Sequence, residues 1–211
     1  YLRPYDLTEM AGSAGRSCTD DEVRIVRVYD DKRAEPDDLV PMDGKTPGEI
    51  IIFPCFKSTL TYPGNEELTK DKFYKGWIYT HDLGTWDKNQ FITVSGRKDD
   101  MIISSGENIY PAQVEEAINC HPSVADCIVT AVPDKARGEA VVAYVIPKDD
   151  SLTIKDLNKY CANHPDLSAY KCPRFYCFVD KIPYNATGKK LHYVVKAQAP
   201  EDLEKGILQK P

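Results

Sequence analysis

Two short polar segments of this chain contain residue types that suit chemistry on anions. The first is Thr187–Lys189, a threonine, a glycine and a lysine. A glycine lets a loop approach a ligand closely, and the lysine ammonium is a compact charge on a long arm. The second is Arg97–Asp100, four charged residues between two apolar segments. Taken alone, each segment also fits a non-functional interpretation. Lys189 could be a solvated lysine beside Lys190, and the charged segment could be a surface hairpin.

The N-terminal half of the chain is predicted to be mostly β-structure. Val23–Val28 alternates apolar and charged residues, as a strand with one solvated face does. Gly48–Phe53 is an apolar run bounded by prolines and predicts a buried strand. Further strands are predicted at Gly76–Thr80 and Gln90–Val94, and a short helix at Glu66–Lys75.

The character of the sequence changes near Gly96. A helix is expected to begin at Pro111, because proline favours the first helical position. A second helix is predicted around Ile154–Cys161 with Thr153 as its cap, and a short closing helix at Leu191–Ala197. Strands are predicted at Met101–Ile103, Asp126–Val132, Ala140–Ile146 and Phe175–Val179. The predicted fold class is therefore α+β, a small C-terminal α+β domain preceded by a mostly β region.

Composition argues against several functional classes. The net charge is −6, whereas nucleic-acid binding needs a basic face. The longest apolar run, Ala140–Pro147, is far shorter than the roughly 20 residues of a membrane span. The seven cysteines include no CxxC pair, and the four histidines show no HxxxH or HExxH spacing. A disulfide scaffold and a structural zinc site are therefore not expected, and a reducing cytoplasm is the expected location.

The stretch from Gly96 to Pro111, followed by Val114 and Glu115, resembles a signature of the adenylate-forming superfamily. It closely matches the pattern GRxDDxIxxxGxxIxPxxIE in order, with Val114 in place of the last isoleucine. That superfamily includes acyl-CoA synthetases, peptide-synthetase adenylation domains and luciferases. Four further blocks resemble the family in the expected order. They are Tyr5–Glu9 (YGxTE), Gly48–Ile50 (GE), Gly76–Gly84 (GWxxTGDLG) and Pro183–Lys189 (PxxxxGK).

The resemblance implies roles in nucleotide chemistry for five residues. Lys189 would bridge the carboxylate and phosphate oxygens as two anions approach each other. Asp82 would accept hydrogen bonds from both ribose hydroxyls, and Arg97 would approach the same ribose. Thr8 would contact phosphate and Glu9 would hold Mg²⁺; for these two, a purely structural role competes more strongly than it does for Asp82 and Arg97.

Two further roles follow from the same resemblance. Asp99 matches the hinge at which the family changes its domain orientation between adenylate formation and thioester formation. Gly106 would help to line the channel for the pantetheine arm of coenzyme A, where a glycine leaves room.

Two residues depart from the family pattern. Asp6 stands where the YGxTE block has glycine, and His81 where the TGD block has glycine. A glycine there implies a positive φ or crowding by the nucleotide. Asp6 would put negative charge near phosphate. His81 fits either a contact near the ribose or an ordinary, partly exposed histidine.

The resemblance predicts an ATP-dependent, AMP-forming ligase that joins a carboxylic acid to coenzyme A. Residues 1–98 would be the tail of the large N-terminal AMP-binding domain, and residues 99–211 the mobile C-terminal domain. The implied ligands are ATP, Mg²⁺, coenzyme A and a fatty or aromatic acid. Two alternatives stay open: an adenylation domain that loads a carrier protein, and a non-catalytic interaction module derived from the fold.

The 211-residue chain by itself is expected to fold but not to turn over. The family's Ser/Thr/Gly-rich phosphate loop does not occur in the sequence, and without it nothing orients a triphosphate for attack. Tyr1 is interpreted as an internal position of a longer chain. We therefore expect exposed apolar strands in the first half, with self-association or mobility there. An acid-dependent assay for AMP and pyrophosphate tests this, and clear turnover with any carboxylic acid and coenzyme A would contradict it.

Overall fold

A computed structural model describes residues 10–17, 22–29, 31–54 and 61–211. The chain divides into two compact units between Asp99 and Asp100. Each unit is built on its own five-stranded sheet. Among the described residues, no helix has the length and apolar character that crossing a bilayer requires.

The N-terminal unit is an antiparallel sheet. Its strands are β1 (Val23–Val26), β2 (Gly48–Ile52), β3 (Phe73–Tyr74), β4 (Trp77–Trp86) and β5 (Ile92–Arg97). The order is β1-β2-β4-β3, and β5 also pairs with the long strand β4. Helix α1 (Glu66–Lys72) precedes β3. It begins after Asn65, whose side chain accepts a hydrogen bond from the Leu68 N–H.

Strand β2 is buried on both faces, which explains its continuous apolar sequence. Ile50 belongs to one buried cluster together with Ile25, and Ile51 belongs to another together with Val26. Neighbouring residues of a strand face opposite sides of a sheet, so both faces of β2 are covered. The first residue of β2 has to be a glycine, because a Cβ atom at Gly48 would lie only 2.3 Å from the Val26 carbonyl oxygen.

The C-terminal unit combines a mixed sheet with three helices. Its strands are β6 (Ile102–Ser104), β7 (Glu107–Ile109), β8 (Val124–Asp134), β9 (Gly138–Pro147) and β10 (Phe175–Phe178). Its helices are α2 (Pro111–Asn119), α3 (Ile154–Asn163) and α4 (His192–Glu204). Strand β9 is central: it pairs antiparallel with β8 along its length, parallel with β10, and with β6 at the single pair Ser104–Gly138.

Helices cover both faces of the hairpin β8–β9. Val141 and Ala143 pack in a cluster with Leu157 of α3, to which α2 also contributes. Val142 packs in a second cluster with Val195 of α4. Alternate residues of β9 therefore enter different cores, and the apolar run needs no polar face.

The predicted α+β class is confirmed, with one shortened helix. The helix predicted over Glu66–Lys75 ends at Lys72. Lys75 and Gly76 have φ values of 50° and 84°, which are incompatible with a helix and make the turn between β3 and β4. Local composition predicted a helix to Lys75, but the chain needs the residues after Lys72 for β3 and its turn, so the helix is shorter.

The closing helix is longer than predicted. It was expected over Leu191–Ala197 and runs to Glu204, past Pro200. Asp202, in its second half, is 4% exposed and accepts a hydrogen bond of 2.7 Å from the Tyr144 hydroxyl of β9. This tertiary contact fixes a segment whose internal proline disfavours helix.

Replacing Tyr144 by phenylalanine is expected to lower the free energy of unfolding of the C-terminal unit by about 1–3 kcal/mol. The change leaves the buried Asp202 carboxylate with the Gln198 side chain at 3.4 Å as its remaining described hydrogen bond. Both tryptophans, Trp77 and Trp86, lie in the other unit. Hydrogen exchange of the β9 amides is therefore the appropriate measurement.

The matched control is Tyr193→Phe, because Tyr193 is 68% exposed. Its effect should stay within about 0.5 kcal/mol. Equal effects of the two substitutions would contradict the role assigned to the Tyr144–Asp202 hydrogen bond.

Candidate functional site

Asp82 and Arg97 are brought together by the register of the β4–β5 hairpin. They are cross-strand partners, and Arg97 Nη1 donates a hydrogen bond of 2.9 Å to Asp82 Oδ1. Their side chains are 42% and 47% exposed. An ionised carboxylate has about four acceptor positions, so Asp82 can accept further hydrogen bonds while it is paired.

His81 has a backbone conformation that favours glycine, the residue of the family pattern at this position. Its φ is +62°, in the region that favours glycine, and its N–H donates to Glu49 Oε1 at 3.2 Å. The imidazole lies between two carboxylates, with Nε2 3.2 Å from Asp71 Oδ2 and Nδ1 3.3 Å from Asp99 Oδ1. The ring is 16% exposed, so His81 is a partly exposed histidine that bridges two carboxylates.

Asp99 ends the N-terminal unit within a short 3₁₀ turn, Lys98–Asp100. Arg97 Nη2 lies 3.3 Å from its Oδ2, and His81 contacts both carboxylate oxygens. Burial raises the pKa of the Asp99 carboxyl, but His81 and Arg97 outweigh burial, so that the pKa lies below its ordinary value. In this structure the residue predicted as a hinge is thus held, as a carboxylate, by two side chains of its own unit.

Glu49 and Lys72 lie beside His81, Arg97 and Asp99, although no sequence motif predicted a role for either. Glu49 is 4% exposed and accepts from the His81 N–H and from Lys98 Nζ, the latter at 3.4 Å. Burial lowers the pKa of Lys72, whose Nζ donates to the Thr80 carbonyl at 3.5 Å. A glutamate inside an apolar strand is the sequence signal that could have identified Glu49.

Lys189 lies in a turn that Asn185 organises. Asn185 Oδ1 accepts hydrogen bonds from the N–H groups of Thr187 and Lys189, both at 2.9 Å, and from the Thr187 hydroxyl at 2.8 Å. Gly188 has a φ of +79°, which the turn requires. The lysine is exposed. Its ammonium therefore stands on an ordered backbone and faces solvent.

Lys190, the next residue, is instead part of a partly buried ion cluster around Glu115. Its Nζ lies 2.8 Å from Asp126 Oδ1 and 3.5 Å from Oε2 of Glu115, which is 7% exposed. The other oxygen of Glu115 accepts from the Val129 N–H at 2.8 Å and from His192 Nε2 at 2.7 Å. The hydrogen bond to Glu115 raises the pKa of His192 against the effect of burial. Burial opposes the charge of Lys190, but its acidic neighbours outweigh burial and raise its pKa.

Gly106 lies in the turn between β6 and β7. It has a φ of +81°, and Ser105 before it has a φ of 55°, which is the geometry of a two-residue hairpin turn. A Cβ atom at Gly106 would meet nothing within 4 Å. Its backbone, rather than crowding inside this chain, thus requires the glycine.

Thr8 and Glu9, predicted to contact phosphate and Mg²⁺, lie outside the described residues, as does Asp6. Within the part of the chain that is described, there is no group of three His, Cys, Asp or Glu residues that could hold a metal ion. The predicted residues that are described lie in separate units: Asp82, Arg97 and Asp99 in one, Gly106 and Lys189 in the other.

Comparisons with known proteins agree with the motifs. Residues 113–189 match the family described as the AMP-binding enzyme C-terminal domain. The chain is 35% identical over 187 residues to 2-succinylbenzoate–CoA ligase of Bacillus cereus, covering 89% of this chain and 36% of the relative. It is 34% identical over 188 residues to long-chain-fatty-acid–CoA ligase of Yersinia pestis, covering 89% and 31%.

A solved structure shows the same relationship. The o-succinylbenzoate CoA synthetase of Bacillus subtilis, in complex with its acyl-adenylate intermediate, superposes with a TM-score of 0.77 at 34% identity. The match covers 92% of this chain and 37% of the synthetase. The chain thus spans about a third of the length of the relatives that it matches. Residues 113–189 thus carry the pattern of the AMP-binding enzyme C-terminal domain, and the chain as a whole is similar to one portion of adenylate-forming CoA ligases.

Proposed function

We propose that the whole protein activates a carboxylic acid with ATP and then transfers the acyl group to coenzyme A. In the first step a carboxylate oxygen attacks the α-phosphorus, and the bond to pyrophosphate breaks. In the second step a thiol displaces AMP from the acyl-adenylate. The observation that carries the proposal is the exposed ammonium of Lys189 on an ordered turn, inside the family's PxxxxGK block.

Lys189 supplies what the first step lacks, a positive charge between two anions. The carboxylate and the α-phosphate repel each other as they approach, and charge builds up on the phosphate oxygens in the transition state. An ammonium held at that point stabilises the transition state more than the separated reactants. The Asn185 turn reduces the freedom that Lys189 would lose on binding the anions.

Asp82 and Arg97 are proposed to hold the ribose. The ionised Asp82 accepts hydrogen bonds from the two ribose hydroxyls, while Arg97 keeps its carboxylate oriented. A salt bridge between half-exposed side chains contributes little to folding stability. Orientation of a ligand-binding carboxylate is therefore the better explanation for the pair.

The domain roles are proposals as well. Residues 1–98 are assigned to the tail of a larger AMP-binding domain and residues 99–211 to a mobile domain that pivots at Asp99, with Gly106 lining the pantetheine channel. The division into compact units between Asp99 and Asp100 supports this assignment. So does the exposure of Phe53 (46%) and Val94 (51%), apolar side chains that a larger domain would cover. Self-association of the isolated chain through such residues is proposed on the same grounds.

Mg²⁺ is proposed on the resemblance alone, with Glu9 as its ligand and Thr8 on phosphate. When bound, it would neutralise triphosphate charge. No step above depends on its geometry. A cytoplasmic location is proposed because five cysteines of the described residues are free thiols.

The acid is proposed to be aromatic or fatty, because the relatives are named for 2-succinylbenzoate and for long-chain fatty acids. The same names favour coenzyme A over a carrier protein as the acceptor. A non-catalytic module is the weaker alternative, since a binding module has no need of Lys189, Asp82, Arg97 and Asp99 together.

Lys189→Ala in the complete enzyme is expected to lower the rate of adenylate formation by at least about 10²-fold. Thioester formation from a supplied acyl-adenylate should survive, because no carboxylate then has to approach a phosphate. The exposed lysine Lys181 provides the charge-matched control, and Lys181→Ala should leave both half-reactions unchanged. Equal loss in the two half-reactions, or no loss in either, would show that the role assigned to Lys189 is wrong.

Asp99→Pro is expected to lower transfer to coenzyme A far more than adenylation. Proline fixes φ near −65° and would prevent the rotation that a hinge needs. Asp99→Ala is the control, because it removes the contacts to His81 and Arg97 but leaves φ free. Half-reaction rates measured separately check this. An unchanged overall rate in the proline variant, or equal defects in both variants, would remove Asp99 from the hinge.

A further inference from the structure

We propose that Glu115 is a positioning residue for Lys189, acting through Lys190 and His192. The proposal rests on the function proposed for Lys189. It adds that the ion cluster around Glu115, rather than the turn alone, sets where the Lys189 ammonium stands.

The turn that carries Lys189 is closed at its base by this cluster. Tyr184 and Lys190 form an antiparallel bridge, so that the segment between them is a small loop. Asp126 of β8 receives both the Tyr184 hydroxyl and the Lys190 ammonium. Lys190 also donates to the Cys127 carbonyl. Both ends of the loop are therefore tied to the same strand.

Glu115 is the anchor on the other side of Lys190. It lies on α2, and through the Val129 N–H it fastens that helix to β8. Strand β8 also pairs with β9. The Val129 N–H of β8 donates its hydrogen bond to the Glu115 carboxylate. His192, the first residue of α4, binds the same carboxylate oxygen. One buried charge thus joins a strand, two helices and the residue next to Lys189.

The direction of Lys189 follows from that of Lys190. Successive side chains of an extended segment point to opposite sides. Because Lys190 is drawn into the cluster, with its side chain 18% exposed, Lys189 is turned outward. A displacement of about 1 Å at a catalytic group can cost about 10²-fold in rate. A shift in the backbone at Lys190 would be transmitted to the end of the Lys189 side chain.

Fold stability alone explains the cluster poorly. A buried ion pair often contributes little net stability compared with an apolar replacement. Here Lys190, His192 and two carboxylates lie at the base of the loop that contains Lys189 and its proposed chemistry. By tying both ends of this loop to β8, the cluster restrains the residue next to Lys189.

Glu115→Gln tests the proposal, because glutamine keeps the shape and an acceptor for the Val129 N–H but removes the charge. In the complete enzyme we expect kcat for adenylation to fall by about 10–100-fold with the KM for ATP within about twofold, and thioester formation to stay within about twofold. Lys190→Met, which keeps the aliphatic stem, should act in the same direction. Glu116→Gln, on the next residue of α2 and exposed, is the matched control and should change neither half-reaction.

Coupling to Lys189 separates positioning from a general defect. Once Lys189 is alanine, adding Glu115→Gln should cost adenylation nothing further, because there is no ammonium left to misplace. Additive losses, or equal losses in the two half-reactions, would overturn the proposal.

A readout independent of activity uses the 211-residue chain. The pKa of His192, followed by NMR titration, should fall toward its ordinary value of 6.5 in Glu115→Gln and stay raised in Glu116→Gln. The groups that bear on His192 are Glu115, the carboxyl of Asp100 and the Lys190 cation. Since the pKa is raised by folding, the stabilisation is complete below about pH 6.5 and is lost as pH rises through the raised pKa. If the pKa of His192 is the same in Glu115→Gln as in the unsubstituted chain, the cluster does not hold His192.

Failure of the two proposals can be told apart. If Lys189→Ala leaves adenylation intact, the proposed function fails whatever the His192 titration gives. If Lys189→Ala abolishes adenylation while Glu115→Gln and Lys190→Met do not lower kcat, the function stands and the positioning role of Glu115 is wrong.

Discussion

Burying a carboxylate costs free energy unless hydrogen-bond donors or cations compensate its charge, and in each unit of this protein a buried glutamate joins several elements. Glu49 holds Lys98 in the N-terminal unit, and Glu115 holds Lys190 and His192 in the C-terminal unit. In both units the partners of the buried glutamate are sequence neighbours of residues with proposed functions. The cost of burying these charges is offset by contacts that also fix the Lys189 loop and the segment around Asp99, for which catalytic and hinge roles are proposed.

The two adjacent lysines show how a fold divides labour between residues of one type. Lys189 and Lys190 have the same charge and the same reach, yet one faces solvent and the other lies half-buried against acidic groups. The bridge to Tyr184 and the Asn185 turn create this difference by fixing the backbone on either side. Without these contacts the loop would be mobile, and the Lys189 ammonium would have no defined position for its proposed role.

The C-terminal sheet provides the rigid frame for this arrangement. Strand β9 is covered on both faces, and the helices that cover it also carry the cluster: α2 contributes Glu115 and α4 contributes His192. The functional groups themselves lie in loops and at element ends, where side chains can reach ligands. The Tyr144–Asp202 hydrogen bond fixes the far half of α4, so the apolar core and the polar cluster are joined through one helix.

The sequence by itself determined the α+β class, the family, and the candidate residues, because periodicity, turn residues and short motifs are local properties. It predicted Asp82 and Arg97 as partners at one ligand, and the strand register brought them together. Only the tertiary structure decided what surrounds them. His192 and Glu115 are 77 positions apart, and no local pattern records that one charge compensates the other. For the same reason the sequence left His81 ambiguous, since its carboxylate partners come from separate elements that meet only in the folded sheet.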